Sequence, residues 1–175
     1  MKLKGNQLKM TKILVVFYSR SGNTKKVAKS VSDILKCDIE EIFDTKNRKG
    51  VFGFLSAGSD ARNNRDIKIK EIKINPSLYD LVIIGTPVWA GNISAPIRTY
   101  ISKNKDNFKK VAFFCTHLSP EVMKIFKDME TVCQKTPLSL LEVTSREVKK
   151  NQYIQKVEEF IENLNKEIKK QNESK

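Results

Sequence analysis

At 175 residues with 39% hydrophobic content, the chain is sized for one domain with a sizeable core, and no apolar run approaches a membrane span. Thirty-three lysines and arginines against twenty acidic residues leave a formal charge of +13, yet only six of those cations are arginine. With no basic stripe interleaved with aromatics, the balance argues for a solvated surface over a nucleic-acid face, while steering by net charge favours an acidic partner.

Residues 1–10 are basic, lack the apolar stretch of a secretory signal and read as a flexible extension. Cys37, Cys115 and Cys133 are scattered, forming no CxxC pair and no metal-ligand cluster. An odd set of this kind, without a signal, predicts reduced thiols and a cytoplasmic location.

From residue 11 to about 170 the pattern alternates between strand and helix. Residues 13–18 (Ile-Leu-Val-Val-Phe-Tyr) form a continuous apolar run, as in a parallel strand covered on both faces. The loop Ser19-Arg20-Ser21-Gly22-Asn23-Thr24 follows, and Val27, Val31, Ile34 and Leu35 then recur at helical spacing from near Lys25 to Lys36. Residues 39–43 alternate with Glu40 and Glu41, predicting a strand near the sheet edge. The stretch 44–76 is loose, with room for a brief helix around Val51, Phe52, Phe54 and Leu55.

Residues 81–85 are the next buried strand, and the turn-rich Thr86-Pro87-Val88-Trp89-Ala90-Gly91-Asn92 comes after it. A helix starts near Ser94, with Pro96 in its first turn and Ile97 and Ile101 facing inward. Strand 111–115 leads into Thr116-His117-Leu118-Ser119, and Ser119 with Pro120 predicts the start of a helix carrying Val122, Ile125, Phe126 and Met129. A fifth strand spans 138–143. Tyr153, Ile154, Val157, Phe160, Ile161 and Leu164 mark a closing amphipathic helix, with a polar tail at 171–175.

Five strands separated by helices predict a doubly wound α/β sheet with right-handed crossovers. Ligands of such sheets sit beyond the carboxyl ends of the strands, where strand order reverses. The loops there hold the hydroxyl-rich segment, the only tryptophan and the only histidine. Two readings of the first loop stand: an ordinary capped helix start, and a phosphate cradle of backbone N–H groups, hydroxyls and a helix N-terminus.

Phe17 to Ala28 (FYSRSGNTKKVA) resembles the FMN-phosphate loop of the flavodoxin family, and residues 85–92 (GTPVWAGN) resemble that family's second flavin loop. The resemblance runs from Lys12 to about Lys169 and implies a flavodoxin-like three-layer sandwich with a five-stranded parallel sheet in the order 2-1-3-4-5. It also implies an FMN cofactor. Ser19, Ser21, Gly22, Asn23 and Thr24 would surround the phosphate, and Arg20 would contribute its backbone N–H. Thr86 and Pro87, with Val88 beside them, would lie near the ribityl chain. Trp89 would sit on a ring face, and Ala90, Gly91 and Asn92 would border the reactive edge. Glycine there permits a peptide rearrangement with redox change. Trp89 also has an ordinary reading as a core aromatic.

The third loop departs from the family pattern, because no aromatic stands ready to cover the outer ring face. Thr116 and His117 are carried as flavin-contacting candidates, with His117 as a donor, a proton relay, or a solvent-facing or merely structural residue. Cys115 reads as a packed small residue. Family members are usually acidic, so this chain's positive field predicts a less negative second reduction step of the flavin. The function implied is electron transfer, or FMN-dependent reduction of a small acceptor, with a redox partner protein. An NAD(P)H-dependent quinone or flavin reductase, and a non-catalytic module that keeps the fold, stand as alternatives.

Overall fold

Five apolar residues in a row make β1 (Ile13–Phe17), and their side chains divide between two cores. Leu14 and Val16 face one side of the sheet, Val15 and Phe17 the other, as period-two geometry requires of a strand covered on both faces. The computed structural model describes residues 11–45, 59–60, 67–118 and 122–173. The expected extension at 1–10, the brief helix near Val51, and the Ser119–Pro120 helix start lie outside the described residues.

After β1 come α1 (Asn23–Leu35), β2 (Asp38–Glu41), β3 (Leu81–Trp89), β4 (Asn92–Ile93) and α2 (Ala95–Asn104). Then follow β5 (Val111–His117), α3 (Val122–Cys133), β6 (Leu140–Thr144), α4 (Ser145–Lys150) and α5 (Ile154–Glu173). The parallel sheet runs β2-β1-β3-β5-β6, the order implied by the resemblance, and β4 adds a short antiparallel pairing on β3. Two layers of helix cover it. Tyr153, Val157, Phe160 and Leu164 join Val27 and Val31 of α1 on one face; Ile97, Ile101, Ile125 and Met129 pack on the other.

Two differences from the sequence reading have local causes. The segment 86–89, expected as a loop, continues β3, because Val88 and Trp89 find partners in Ile93 and Asn92. A helix not foreseen, α4, is nucleated by a capping box: Thr144 Oγ1 accepts from the Glu147 N–H at 3.1 Å, and Glu147 accepts from the Thr144 N–H at 2.7 Å. The closing helix, α5, extends to Glu173.

Gly85 marks where the sheet is tightest. A Cβ at this position would lie 1.9 Å from Cζ of Phe114 on the adjacent strand, and Phe114 is fully buried. The aromatic fills the volume that the glycine leaves.

Candidate functional site

The strand register sets three loops side by side. Phe17 pairs with Gly85 and Gly85 with Phe114, so β1 ends beside the middle of β3 and β5, which continue to Trp89 and His117, and the Tyr18 N–H donates to the Gly85 carbonyl at 3.3 Å. Strand order reverses between β1 and β3, the position where open α/β sheets form their ligand crevice.

At that position the chain passes from β1 into α1 through Ser19–Thr24. Gly22 takes φ 90°, a left-handed conformation that glycine adopts without steric cost, and a Cβ there would meet nothing within 4 Å. Its N–H donates to Ser19 Oγ at 3.1 Å, folding the loop back on itself. No side chain caps α1, and no acid lies in its first turn. The first-turn N–H groups and the positive end of the helix dipole therefore point out of an exposed loop bearing Ser21 and Arg20. The ordinary reading of the loop, a side-chain-capped helix start, is not what this geometry has. A helix start without a side-chain cap, behind a hydroxyl-bearing loop, suits a phosphate dianion.

Thr24, by contrast, is buried. Its hydroxyl shares a 2.8 Å hydrogen bond with that of Thr116 at the end of β5, tying the first loop to the third. The structure thus brings Thr116 to the first loop and turns His117, its neighbour on β5, to the other partner strand.

The second loop is a tight hairpin. Ala90 and Gly91 both have positive φ, 47° and 71°, the pattern of a type I′ turn between β3 and β4. Asn92 holds it: Nδ2 donates to the Ala90 carbonyl at 2.8 Å, and Oδ1 accepts from Lys124 Nζ of α3 at 3.2 Å. Thr86 is fully buried, and its hydroxyl is engaged with Ser94 Oγ at 2.9 Å and with the Ser94 N–H at 3.1 Å, latching α2 to β3. Pro87 and Val88 are half-buried on the way to the turn. Trp89 is only 8% exposed and meets Tyr18 edge-on, with ring centroids 5.3 Å apart at 89°. In this structure the indole is packed as a core aromatic at the border of the crevice.

His117 is 4% exposed, which removes its solvent-facing reading, and its Nε2 is hydrogen-bonded to Glu142 of β6. Lys156 Nζ of α5 bridges Glu142 at 3.0 Å and Glu147 at 2.9 Å. Burial alone would raise both carboxylates; the hydrogen bonds from Lys156 and His117 to Glu142, and from Thr144 and Lys156 to Glu147, outweigh it and hold both below the ordinary range. Burial pushes the Cys115 thiol up to about 12, in keeping with a packed residue.

The sequence reading passed over Glu142, Lys156, Lys124 and Leu118. Glu142 was visible as a lone acid inside the apolar run Leu140-Leu141-Glu142-Val143, and Thr144 with Glu147 as a capping-box pattern. Leu118, 90% exposed beside the crevice, is the apolar surface that the third loop presents in place of an aromatic. A wider groove of about 540 Å³ lies elsewhere, between α1 and β2, with Phe17, Cys37 and Ile39 among its lining. Its cations Lys25 and Lys29 are already paired with Glu41 and Asp33.

Comparison with known proteins bears on the fold and the family. The Flavodoxin family profile matches residues 12–163. The fold is similar to that of a flavoprotein from Lactobacillus acidophilus NCFM solved in complex with FMN: TM-score 0.64, 26% identity, over 81% of this chain and 98% of that one. A flavoprotein from Bacteroides eggerthii matches with TM-score 0.65 at 21% identity, over 81% and 95% of the two chains. A WrbA-like flavodoxin from Agrobacterium tumefaciens shares the fold with TM-score 0.54 at 13% identity, over 91% and 99%. No curated protein matches the sequence. With a profile match across most of its length and the strand order of that fold, the chain belongs to the flavodoxin family.

Proposed function

We propose that this protein binds FMN in the crevice between β1 and β3 and serves as an electron-transfer flavoprotein or an FMN-dependent reductant of a small acceptor. The observation that carries the reading is the uncapped start of α1 behind Gly22, at the switch point of the sheet. The L. acidophilus complex, a structural relative with FMN bound, supports the choice of flavin.

On this reading, Ser19, Ser21, Asn23 and the amides of Arg20, Ser21, Asn23 and Thr24 hold the phosphate, with the Gly22 N–H bracing the loop through Ser19 Oγ. The Thr24–Thr116 link fixes the loop, and Thr86 contributes through backbone because its hydroxyl is committed to Ser94. Ala90, Gly91 and Asn92 border the ring's reactive edge. Trp89 and Leu118 supply apolar surface on either side of the crevice, and His117 acts through Glu142 as a positioning residue of the third loop. FMN, when bound, supplies one- and two-electron chemistry, and the protein orients and electrostatically tunes it.

Spectra of the purified protein, with FMN released on denaturation, test the reading directly. A colourless protein that leaves added FMN unbound contradicts it. Consumption of NADH or NADPH with quinones then separates a reductase from a carrier: turnover without a second protein selects the reductase, and reduction only through a partner selects the carrier.

A further inference from the structure

Behind the hairpin that borders the proposed ring edge, α2 and α3 enclose a niche of about 140 Å³ lined by Asn92, Arg98, Lys124, Asp128, Thr131 and Val132. Its charge is unbalanced. Lys124 Nζ is taken by Asp128 at 2.6 Å, whereas the half-buried Arg98 has no ion pair or hydrogen-bonded side-chain partner among the described residues. A partly desolvated guanidinium without an anion is a costly group to keep, and its planar fork of donors suits a carboxylate. The volume holds a few waters or one carboxylate group, far less than a nucleotide.

We propose that Arg98, assisted by Lys124, is a subsite for the carboxylate of an acidic electron acceptor that approaches FMN over the Ala90–Gly91 turn. The proposal deepens the FMN reading and rests on it for the identity of the acceptor; the anion site itself does not depend on flavin. Two observations favour it. The formal charge of +13 steers acidic molecules toward the protein. Lys124 donates to Asn92 Oδ1, and Asn92 donates to the Ala90 carbonyl, so an anion that draws on Lys124 is felt at the turn beside the flavin edge. The carboxylate comes either from a small acid or from an acidic side chain of a protein partner.

The test is an NMR titration of the ¹⁵N-labelled full chain, free of FMN, with sodium succinate at constant ionic strength and separately with poly-L-glutamate. The Arg98 Nε–H and the Asn92 side-chain amide are followed. The expected result is a saturable shift of both signals. Arg98→Gln weakens it about tenfold, the size of one charge-assisted hydrogen-bonded pair, and Lys103→Gln on the same helix leaves it unchanged. Saturation by poly-L-glutamate at a lower carboxylate concentration than succinate assigns the site to a protein partner; the reverse order assigns it to a small acid. Shifts that rise without saturating, or that are the same in wild type, Arg98→Gln and Lys103→Gln, overturn the proposal. Flavin absorbance on added FMN is read in a separate sample, so failure of the cofactor reading and failure of the anion site are told apart.

Discussion

Thr24 and Thr116 stand 92 residues apart in the chain, and their hydroxyls share a buried hydrogen bond of 2.8 Å that joins the start of α1 to the end of β5. Removing either hydroxyl leaves the other buried and unsatisfied, whereas removing both leaves nothing unpaired. Thr24→Val and Thr116→Val are each expected to lower unfolding free energy in urea by about 1–2 kcal/mol, with the double variant no worse than the singles. Strictly additive losses would show that the two residues act separately.

Gly85 and Phe114 make a second, steeper prediction. Because Phe114 is fully buried, its ring cannot yield to a methyl group whose nearest approach would be 1.9 Å. Gly85→Ala is expected to destabilise the fold by about 1–3 kcal/mol or more, measured by thermal or urea unfolding. In the Phe114→Leu background, where space has been opened, Gly85→Ala should cost less.

How much of this was legible in the sequence differs from element to element. The strands β1, β3 and β5 announced themselves as apolar runs, since parallel strands are buried on both faces. The first loop's place between β1 and α1 was legible from the hydroxyls and glycine that interrupt the two patterns, whereas residues alone left a capped helix start and a phosphate cradle both open. The hairpin was not, because Ala90 gives no sign of its positive φ; only Gly91 does. Side-chain pairings across long separations, such as His117 with Glu142 and Lys124 with Asn92, leave no local pattern and had to come from the fold. For Trp89 the resemblance implies a ring-face position and the residue type alone allows a core aromatic; its edge-on contact with Tyr18 comes only from the fold.

The ion network at the end of β6 predicts a pH dependence. Burial opposes the charge on Glu142 and Glu147, yet their partners lower both from the model-compound value of 4.5; Lys156 is raised above 10.5 because the bonds to Glu147 and Glu142 outweigh its own burial. The carboxylates therefore add stability above their unfolded-state value, and that contribution is lost as pH falls through the lower folded-state values. The lysine's contribution is present below its unfolded-state value and is lost as pH rises through the raised one. Lys156→Met is expected to cost about 1 kcal/mol or less at neutral pH, given the solvent screening of these partly exposed groups. Urea titrations should show the wild-type advantage fading toward acid, and an advantage independent of pH would contradict the assignment.

The positive charge of the chain bears on the flavin's electronics. One cation about 10 Å from the ring in a water-like dielectric contributes roughly 0.4 kcal/mol, on the order of 20 mV for a one-electron step. The second reduction step of bound FMN is expected at a less negative potential than in an acidic member of the family, with the difference shrinking as salt is added. A potentiometric titration giving an equal or lower value would remove the charge argument.

The central claim is that the Ser19–Thr24 loop holds the phosphate of FMN, and comparing FMN with riboflavin tests it most directly. Trp89 is the only tryptophan, so its fluorescence reports binding beside Tyr18 without added label. The account predicts saturable one-to-one quenching by FMN, riboflavin binding weaker by at least about tenfold for want of the charged hydrogen bonds, and loss of that preference in Gly22→Ala. Equal affinity for the two flavins, or no quenching by either at saturation, would contradict it.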